Sequence, residues 1–328
     1  MNQYNKLPYS IIWYLTDRCN LKCDFCYLDR SKVNEFSKKD AFKVLDEIKK
    51  LKPFTLSLIG GEVLTIGYLE ELIERCTKYR IRCNVATNAT LITEKFVNKI
   101  RNLDIGYFQV SIDGLKNIHD SMRGNGNFEK AIRGIKILVE NKISVQVAPL
   151  ICKENLEDIS NIIEECIRLK VSKIKFNIFY PIGNGKDKKN KYEISIDEFR
   201  KVIRTINKYK DKIEIEIPGE IQYKETALET EIQRSYGCAA GTSKLVILSN
   251  GDLVACEFFN DEVVGNVFID DIFSIWTSTR TFERWRYPKK INDSCCNCKN
   301  IHNCKGGCRY LAYLSTNDFY GENPLCIK

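Results

Sequence analysis

Fifteen cysteines against two histidines constrain this 328-residue chain more than any other feature. No secretion signal precedes them. Met1 to Leu15 holds one short apolar stretch, Ile11 to Leu15, without the basic start, longer apolar core and small-residue cleavage site of a signal peptide. The chain is therefore read as cytoplasmic, where thiols stay reduced and a disulfide framework is not expected. Metal ligation or redox chemistry is the default for such a cysteine set. With His119 and His302 alone to supplement them, the ligands are thiolates. That points to iron–sulfur clusters or to zinc held by four cysteines.

The rest of the composition is that of an ordinary soluble globular protein, with 44% hydrophobic and 29% charged residues. No apolar run approaches the ~20 residues needed to cross a bilayer, so no membrane is expected as a partner. The net charge of +8 comes from 51 basic and 43 acidic residues, part of it in a solvated Lys186 to Lys191 loop. It reads as a lysine-rich surface, with attraction to an acidic peptide as the alternative. No basic stripe interleaved with aromatics argues for nucleic acid.

Strand-like and helix-like segments alternate through the first two-thirds. Strands are predicted over Ser10 to Thr16, Thr55 to Ile59, Ile81 to Ala86, Ile105 to Ile112, Ile143 to Leu150 and Lys173 to Ile178. Helices are predicted over Ser37 to Leu51, Tyr68 to Tyr79, Glu94 to Arg101, Phe128 to Glu140 and Leu156 to Leu169. Six strands separated by helices predict an α/β fold with a parallel sheet, whose ligand sites gather at the carboxyl ends of the strands. After Pro181 a polar loop leads to a helix over Ser195 to Tyr209, opened by a Ser195/Glu198 capping box, and a short strand over Ile213 to Ile217. From Cys238 the chain is rich in Cys, Gly and Asn, with short strands over Lys244 to Leu248 and Asp252 to Ala255. Such a segment needs metal cross-links in place of a large core of its own.

Cys19, Cys23 and Cys26 form C-x3-C-x2-C directly after the first strand. Three thiolates can hold three irons of a cubane and leave the fourth open. The stretch Thr16 to Tyr27 resembles the signature of the radical S-adenosylmethionine superfamily. In that family the open iron is chelated by S-adenosylmethionine, whose reductive cleavage gives a 5′-deoxyadenosyl radical that abstracts hydrogen from substrate. The resemblance implies further contacts at strand ends. Gly60, Gly61 and Glu62 resemble the segment that holds the amino group of S-adenosylmethionine, with the glycines admitting close backbone approach and Glu62 facing the ammonium. Thr87 and Asn88 follow the third strand. Ser111 to Gly114, including Asp113, resemble the ribose- and methionine-contacting segment. Arg123 and Lys130 are both candidates for the carboxylate, and Tyr180 to Gly183 resembles the adenine-side turn. Phe25 and Tyr27 are expected to shield the cluster or stack near the adenine. The implied fold is a partial (β/α)6 TIM-like barrel over residues 1–185.

The spacing Cys238-x12-Gly251-x4-Cys256, then Cys295-x2-Cys298-x5-Cys304-x3-Cys308 and Cys326, is similar to the seven-cysteine SPASM domain. This implies a mostly irregular, cluster-binding domain over 236–328, joined to the barrel by a bridging region over 186–235. Cys295, Cys298, Cys304 and Cys326 would hold one auxiliary [4Fe–4S] cluster, and Cys238, Cys256 and Cys308 the other, for three clusters in all. Sulfatase maturases have one more cysteine shortly before the position of Cys238. Here Ile232, Gln233, Arg234 and Ser235 stand there, so the fourth iron of that cluster is open, held by another side chain, or bound by a substrate thiolate. Glu257 matches the position of an aspartate base in those enzymes, with a solvated loop residue as the alternative. Cys152, at the end of the fifth strand, is a candidate hydrogen donor or acceptor. Cys76, Cys83 and Cys166 read as small core residues and Cys296 as incidental.

The implied activity is oxidative modification of an amino acid in a peptide or protein, giving a thioether, a carbon–carbon cross-link or a formylglycine. The alternatives are tailoring of a small molecule such as a tetrapyrrole or cofactor precursor, and a non-catalytic iron–sulfur or zinc scaffold. The scaffold reading leaves the motifs at the strand ends unexplained. An external electron donor such as flavodoxin or ferredoxin is expected. Only 18 residues precede Cys19, so a leader peptide would need a separate leader-binding protein or direct recognition by the barrel.

Overall fold

The structure, a computed structural model, describes residues 6–29, 31, 33–217, 238–287, 292–298 and 301–326, with the backbone alone at 302 and 303. Its frame is one ten-stranded sheet. The strands are β1 (Ser10–Thr16), β2 (Thr55–Gly60), β3 (Arg82–Thr87), β4 (Ile105–Val110), β5 (Val145–Val147), β6 (Leu150–Ile151), β7 (Lys173–Lys175), β8 (Asn177–Ile178), β9 (Glu214–Glu216), β10 (Lys244–Ile247), β11 (Asp252–Val254) and β12 (Gly265–Asn266). The sheet runs β12-β11-β10-β1-β2-β3-β4-β5-β7-β9, while β6 and β8 pair separately. From β10 through β9 every pairing is parallel. This is a TIM-like partial barrel to which a C-terminal domain is joined.

Strand alternation divides inside from outside. Ile11, Trp13 and Leu15 of β1 are buried in the main core, as are Ala41, Val44, Leu45 and Ile48 of helix α1 (Lys38–Lys50). Ile12 and Tyr14, one residue out of phase, face the lumen. The following helices, α2 (Leu69–Lys78), α3 (Glu94–Ile100), α4 (Lys116–Arg123), α5 (Asn127–Glu140) and α6 (Ile159–Arg168), lie between the strands as expected, and α4 was not foreseen. Helix α7 (Lys189–Tyr192) replaces part of the expected solvated loop, because Tyr192 is fully buried against Phe25 and Phe179. Helix α8 (Ile196–Asn207) opens with the predicted Ser195/Glu198 capping box.

Two predicted strands break in the middle. Pro149 has no N–H to continue the ladder between β5 and β6. At that point Phe176 N–H turns to Glu216 O, while Asn177 N–H reaches Pro149 O at 2.8 Å. The second difference concerns the ends of the sheet. The bridging strand β9 pairs with β7, and β10 adds directly to β1 with Ser10 opposite Lys244. The C-terminal region therefore shares a sheet with the barrel. Its apolar residues Trp276 and Phe282 belong to the same core. Between those two rings the fully buried Arg286 guanidinium donates to the carbonyls of Gly241, Trp276 and Ser278. Backbone acceptors satisfy a cation that would otherwise be costly to bury.

Candidate active site

The loop bearing Cys19, Cys23 and Cys26 rests directly on strand ends. A Cβ on Gly60 would overlap Thr16 O, and one on Gly61 would overlap the carbonyls of Asp17 and Arg18. The close approach that these glycines permit is thus between β2 and the cysteine loop. Gly183, at φ +56°, does the same on the far side, where a Cβ would meet the backbone of Tyr27 and Leu28. Gly185 N–H donates to Cys26 O at 3.1 Å. Asp17 fixes the loop's entry by accepting from Asn34 N and Nδ2 and from Ser249 Oγ. Asn20, which sequence reasoning passed over, ties the loop to β3: its Nδ2 donates to Thr90 Oγ1 and its Oδ1 accepts from Asn88 Nδ2, each at 2.8 Å.

Glu62 sits behind this surface. Fully buried, it does not line the cavity; Oε1 accepts from Leu64 N–H and Thr87 Oγ1, and Oε2 from Asn88 N–H. Burial outweighs these donors and holds the carboxyl above its usual range. Asp113 is also fully buried; its two oxygens accept from Leu150 N–H at 2.9 Å and Arg123 Nε at 2.5 Å. The Arg123 guanidinium lies 5.2 Å from the Phe25 ring centroid and lines the cavity. Lys130 lies on α5, where its Nζ contacts Asn127 Oδ1, and does not line it. Of the two candidate cations the structure brings only Arg123 to the site. His119, buried on α4, accepts from Asp113 N–H through Nδ1 at 3.3 Å. Burial, aided by the nearby Arg123 cation, lowers its pKa to about 4 and keeps it neutral.

These parts enclose a cavity of about 390 Å³. The three cysteines, Gly60, Gly61, Thr87, Asn88 and Ser111 form one end. Tyr27 lines a side wall, its hydroxyl 3.0 Å from that of Tyr14. Deeper in, the lumen presents Asn84, Gln109, Lys175 and Asn177 on one side and Glu257 with Phe258 on the other. Glu257 Oε2 accepts from Lys244 Nζ at 2.8 Å. Burial alone would raise the Glu257 carboxyl, but Lys244 outweighs it and holds the carboxyl below its usual range. Cys152 is a correction. It is fully buried among Leu21, Cys23, Phe25 and Met122, bonded to Asn155, and does not reach the cavity. The 3₁₀ turn that it caps, Lys153–Asp158, folds it under the cysteine loop.

Residues 13–166 match the radical SAM superfamily, and residues 238–305 match SPASM, an iron–sulfur cluster-binding domain. This chain is a radical SAM enzyme with a SPASM domain. Among curated relatives, the AdoMet-dependent heme synthase of Methanosarcina barkeri is 27% identical, over 98% of this chain and 96% of its own length. The mycofactocin maturase MftC of Mycolicibacterium smegmatis is 24% identical, over 98% and 83%. The subtilosin biosynthesis protein AlbA of Bacillus subtilis is 27% identical, over 97% and 70%. Among solved structures, Streptococcus suis SuiB bound to precursor peptide SuiA superposes with a TM-score of 0.83 at 20% identity, covering 99% of this chain and 77% of SuiB. An anSMEcpe complex with AdoMet and a peptide superposes at 0.78 and 19%, covering 97% and 93%. At these identities the structural likeness speaks for the fold.

The donor chemistry of the radical SAM domain fits the family's cofactors. Three thiols share one loop at a cavity end, and a partly open guanidinium stands beside them. In the SPASM domain Cys238 lies within electrostatic reach of both Cys256 and Cys308. Cys295 and Cys298 flank one short turn, joined by a Cys298 N–H to Cys295 O bond, and Cys304 ends the next. Lys305, Gly306 and Gly307 all have positive φ, bending the chain back between Cys304 and Cys308. Among the described residues no three Cys, His, Asp or Glu side chains converge as ligands of a single ion would. Thiolates bound to separate irons of a cluster need no such convergence. Ile232 to Ser235, the positions that lack the expected additional thiol, lie outside the described residues. Among the described residues no helix is long and apolar enough to cross a membrane.

Proposed function

We propose that this radical SAM enzyme oxidises an amino-acid residue of a peptide or protein to form a cross-link or a formylglycine. The observation that carries the reading is the charge of the lumen. Of the two cations among the described residues that line the cavity, Arg123, held by Asp113, is taken by the methionyl carboxylate of S-adenosylmethionine, and Lys175 is paired with Glu216 at 3.2 Å, so neither is left for a substrate carboxylate. Lys244 is likewise paired with Glu257. Beside them stand carboxamides with no hydrogen-bond partner among the described residues, those of Gln109, Asn177 and the buried Asn84. Amides open to the cavity match the N–H and C=O groups of a main chain. A macrocycle bearing several carboxylates would ask for free cations. The cavity is also at the small end of the ~300–1,000 Å³ range for ligand pockets.

In this reading Cys19, Cys23 and Cys26 hold one [4Fe–4S] cluster. With S-adenosylmethionine, a cluster held there would supply one-electron reductive chemistry that yields a hydrogen-atom abstractor. Arg123 binds the methionyl carboxylate and Asp113 aims it. Glu62, behind the cavity wall, braces Thr87 and Asn88, while Tyr27 and Ser111 flank the nucleoside. Cys295, Cys298, Cys304 and Cys326 hold one auxiliary cluster, and Cys238, Cys256 and Cys308 the other, three in total. Glu257 accepts a proton from the substrate residue. Flavodoxin or ferredoxin supplies electrons.

The heme synthase relative, matched over 96% of its length, favours a second reading, chemistry on a tetrapyrrole. An anaerobic assay with dithionite and S-adenosylmethionine decides between them. One arm receives a short cysteine-containing peptide, the other an iron porphyrin. The peptide reading expects 5′-deoxyadenosine together with a peptide lighter by two hydrogens per bond. Glu257→Gln should keep 5′-deoxyadenosine formation and stop the mass change. A modified porphyrin and an unchanged peptide would overturn it.

A further inference from the structure

Tyr180 joins the cavity to the SPASM cysteines. It follows β8, lines the cavity, and stacks on Phe258 with ring centroids 4.0 Å apart and planes at 26°. Its hydroxyl lies 3.7 Å from Cys308 Sγ. Tyr310 closes the far side, 6.0 Å from Tyr180 and 5.4 Å from Phe258. With a free thiol either atom can be the donor. A cluster-bound thiolate has no proton, so the phenol must donate.

We propose that Tyr180 is a positioning residue for the auxiliary cluster beside the cavity. Its O–H donates to the Cys308 thiolate and raises that cluster's reduction potential, while its ring screens the sulfur from the substrate chamber. This rests on the reading of Cys308 as a ligand. A hydrogen bond to sulfur stabilises the reduced cluster, which carries one more negative charge, over the oxidised one. The sheet geometry makes the contact specific. Tyr180 follows β8 of the barrel and Cys308 belongs to the C-terminal domain, 128 residues later, so the bond reports how the two halves are docked.

The test is Tyr180→Phe, which keeps the ring and the stack and removes the hydroxyl. The anaerobically reconstituted full chain is titrated potentiometrically and followed by EPR, with iron counted in parallel. The expected result is unchanged iron and a negative shift of one midpoint potential, the others staying in place. In deuterated water, a deuteron coupling on that reduced cluster should also vanish in the variant. Tyr180→3-fluorotyrosine, a more acidic donor, should shift the same potential the opposite way, and it answers the question if the phenylalanine variant loses iron. Midpoints unmoved in both variants overturn the proposal. Cys308→Ala separates the two layers: loss of iron there with unmoved Tyr180 midpoints refutes the role of Tyr180 alone. Full retention of iron in Cys308→Ala refutes the ligand assignment and the proposal with it.

Discussion

Replacing Asp113 by asparagine removes one charge and almost no volume from the least exposed ion pair among the described residues. The carboxylate has no exposed surface and the Arg123 side chain is 13% exposed. Removing one partner of a buried pair costs about 3–5 kcal/mol, because the other charge is left uncompensated. Arg123 borders the cavity and keeps some hydration, so the lower end, ~3 kcal/mol, applies. Asparagine can still accept from Leu150 N–H, but its amide N–H₂ faces the guanidinium donor to donor. For a chain of this size ~2 °C of melting temperature goes with each kcal/mol, which predicts a fall of ~6 °C.

The double variant Asp113→Asn with Arg123→Met sharpens the case. An apolar residue replaces the stranded cation, and most of the lost stability should return. The response to S-adenosylmethionine should move the other way. At a hundredfold excess over Kd a ligand stabilises by ~2.7 kcal/mol. That increment should survive at least in part in Asp113→Asn and disappear in the double variant. Scanning fluorimetry of iron-replete protein, with and without S-adenosylmethionine, reads both quantities. A single variant melting within ~1 °C of the wild type, or a double variant as unstable as the single, would refute the buried-pair reasoning.

Three other changes probe separate parts of the site. Gly61→Ala forces the cysteine loop off β2, so one cluster's share of iron and 5′-deoxyadenosine formation should be lost while the SPASM share of iron remains, as read by iron quantitation. Cys152→Ala should leave 5′-deoxyadenosine formation at the wild-type rate, at a stability cost of ~1 kcal/mol in urea unfolding, because this thiol is sealed beneath the loop. His119 is neutral when folded, with a pKa lowered to about 4, against ~6.5 unfolded. The unfolded chain therefore binds the extra proton first, and stability falls as pH drops from 6.5 toward 4. Between pH 7.5 and 5.5 the loss attributable to His119 is ~1.3 kcal/mol. His119→Asn should remove that part of the pH dependence, and an unchanged slope in urea titrations would count against a buried neutral histidine.

Local pattern carried much of this molecule. The first four strands and the capping box at Ser195 follow from period and turn chemistry within a few residues, and the cysteine spacings are themselves local. Helix α4 was hidden because only His119 and Met122 are buried on it, leaving no apolar stripe to see. Its omission is also why Arg123 and Lys130 were indistinguishable in the sequence: one ends α4 against Asp113, the other lies on α5. Pro149 was a visible signal for the break in the fifth strand. Glu62 and Asp113 were legible as members of motifs, but not their burial, which depends on contacts with residues 25 and 37 positions away.

The placement of Glu257 and Phe258 in the lumen is the deepest nonlocal result, and it has a single structural origin. Strand β10 adds to β1 in parallel, and the tight turn to antiparallel β11 carries the chain back toward Cys256. Gly251, at φ +90°, makes that turn, and Ser249 within it donates to Asp17 at the entry of the cysteine loop. The same hairpin thus anchors the loop of Cys19, Cys23 and Cys26 and delivers Cys256 and Glu257. A shift in the register of β10 on β1 would move both ends of the cavity together. Coupling of the radical-generating end to the SPASM end is therefore a property of strand pairing, set before any side chain in the lumen meets a substrate.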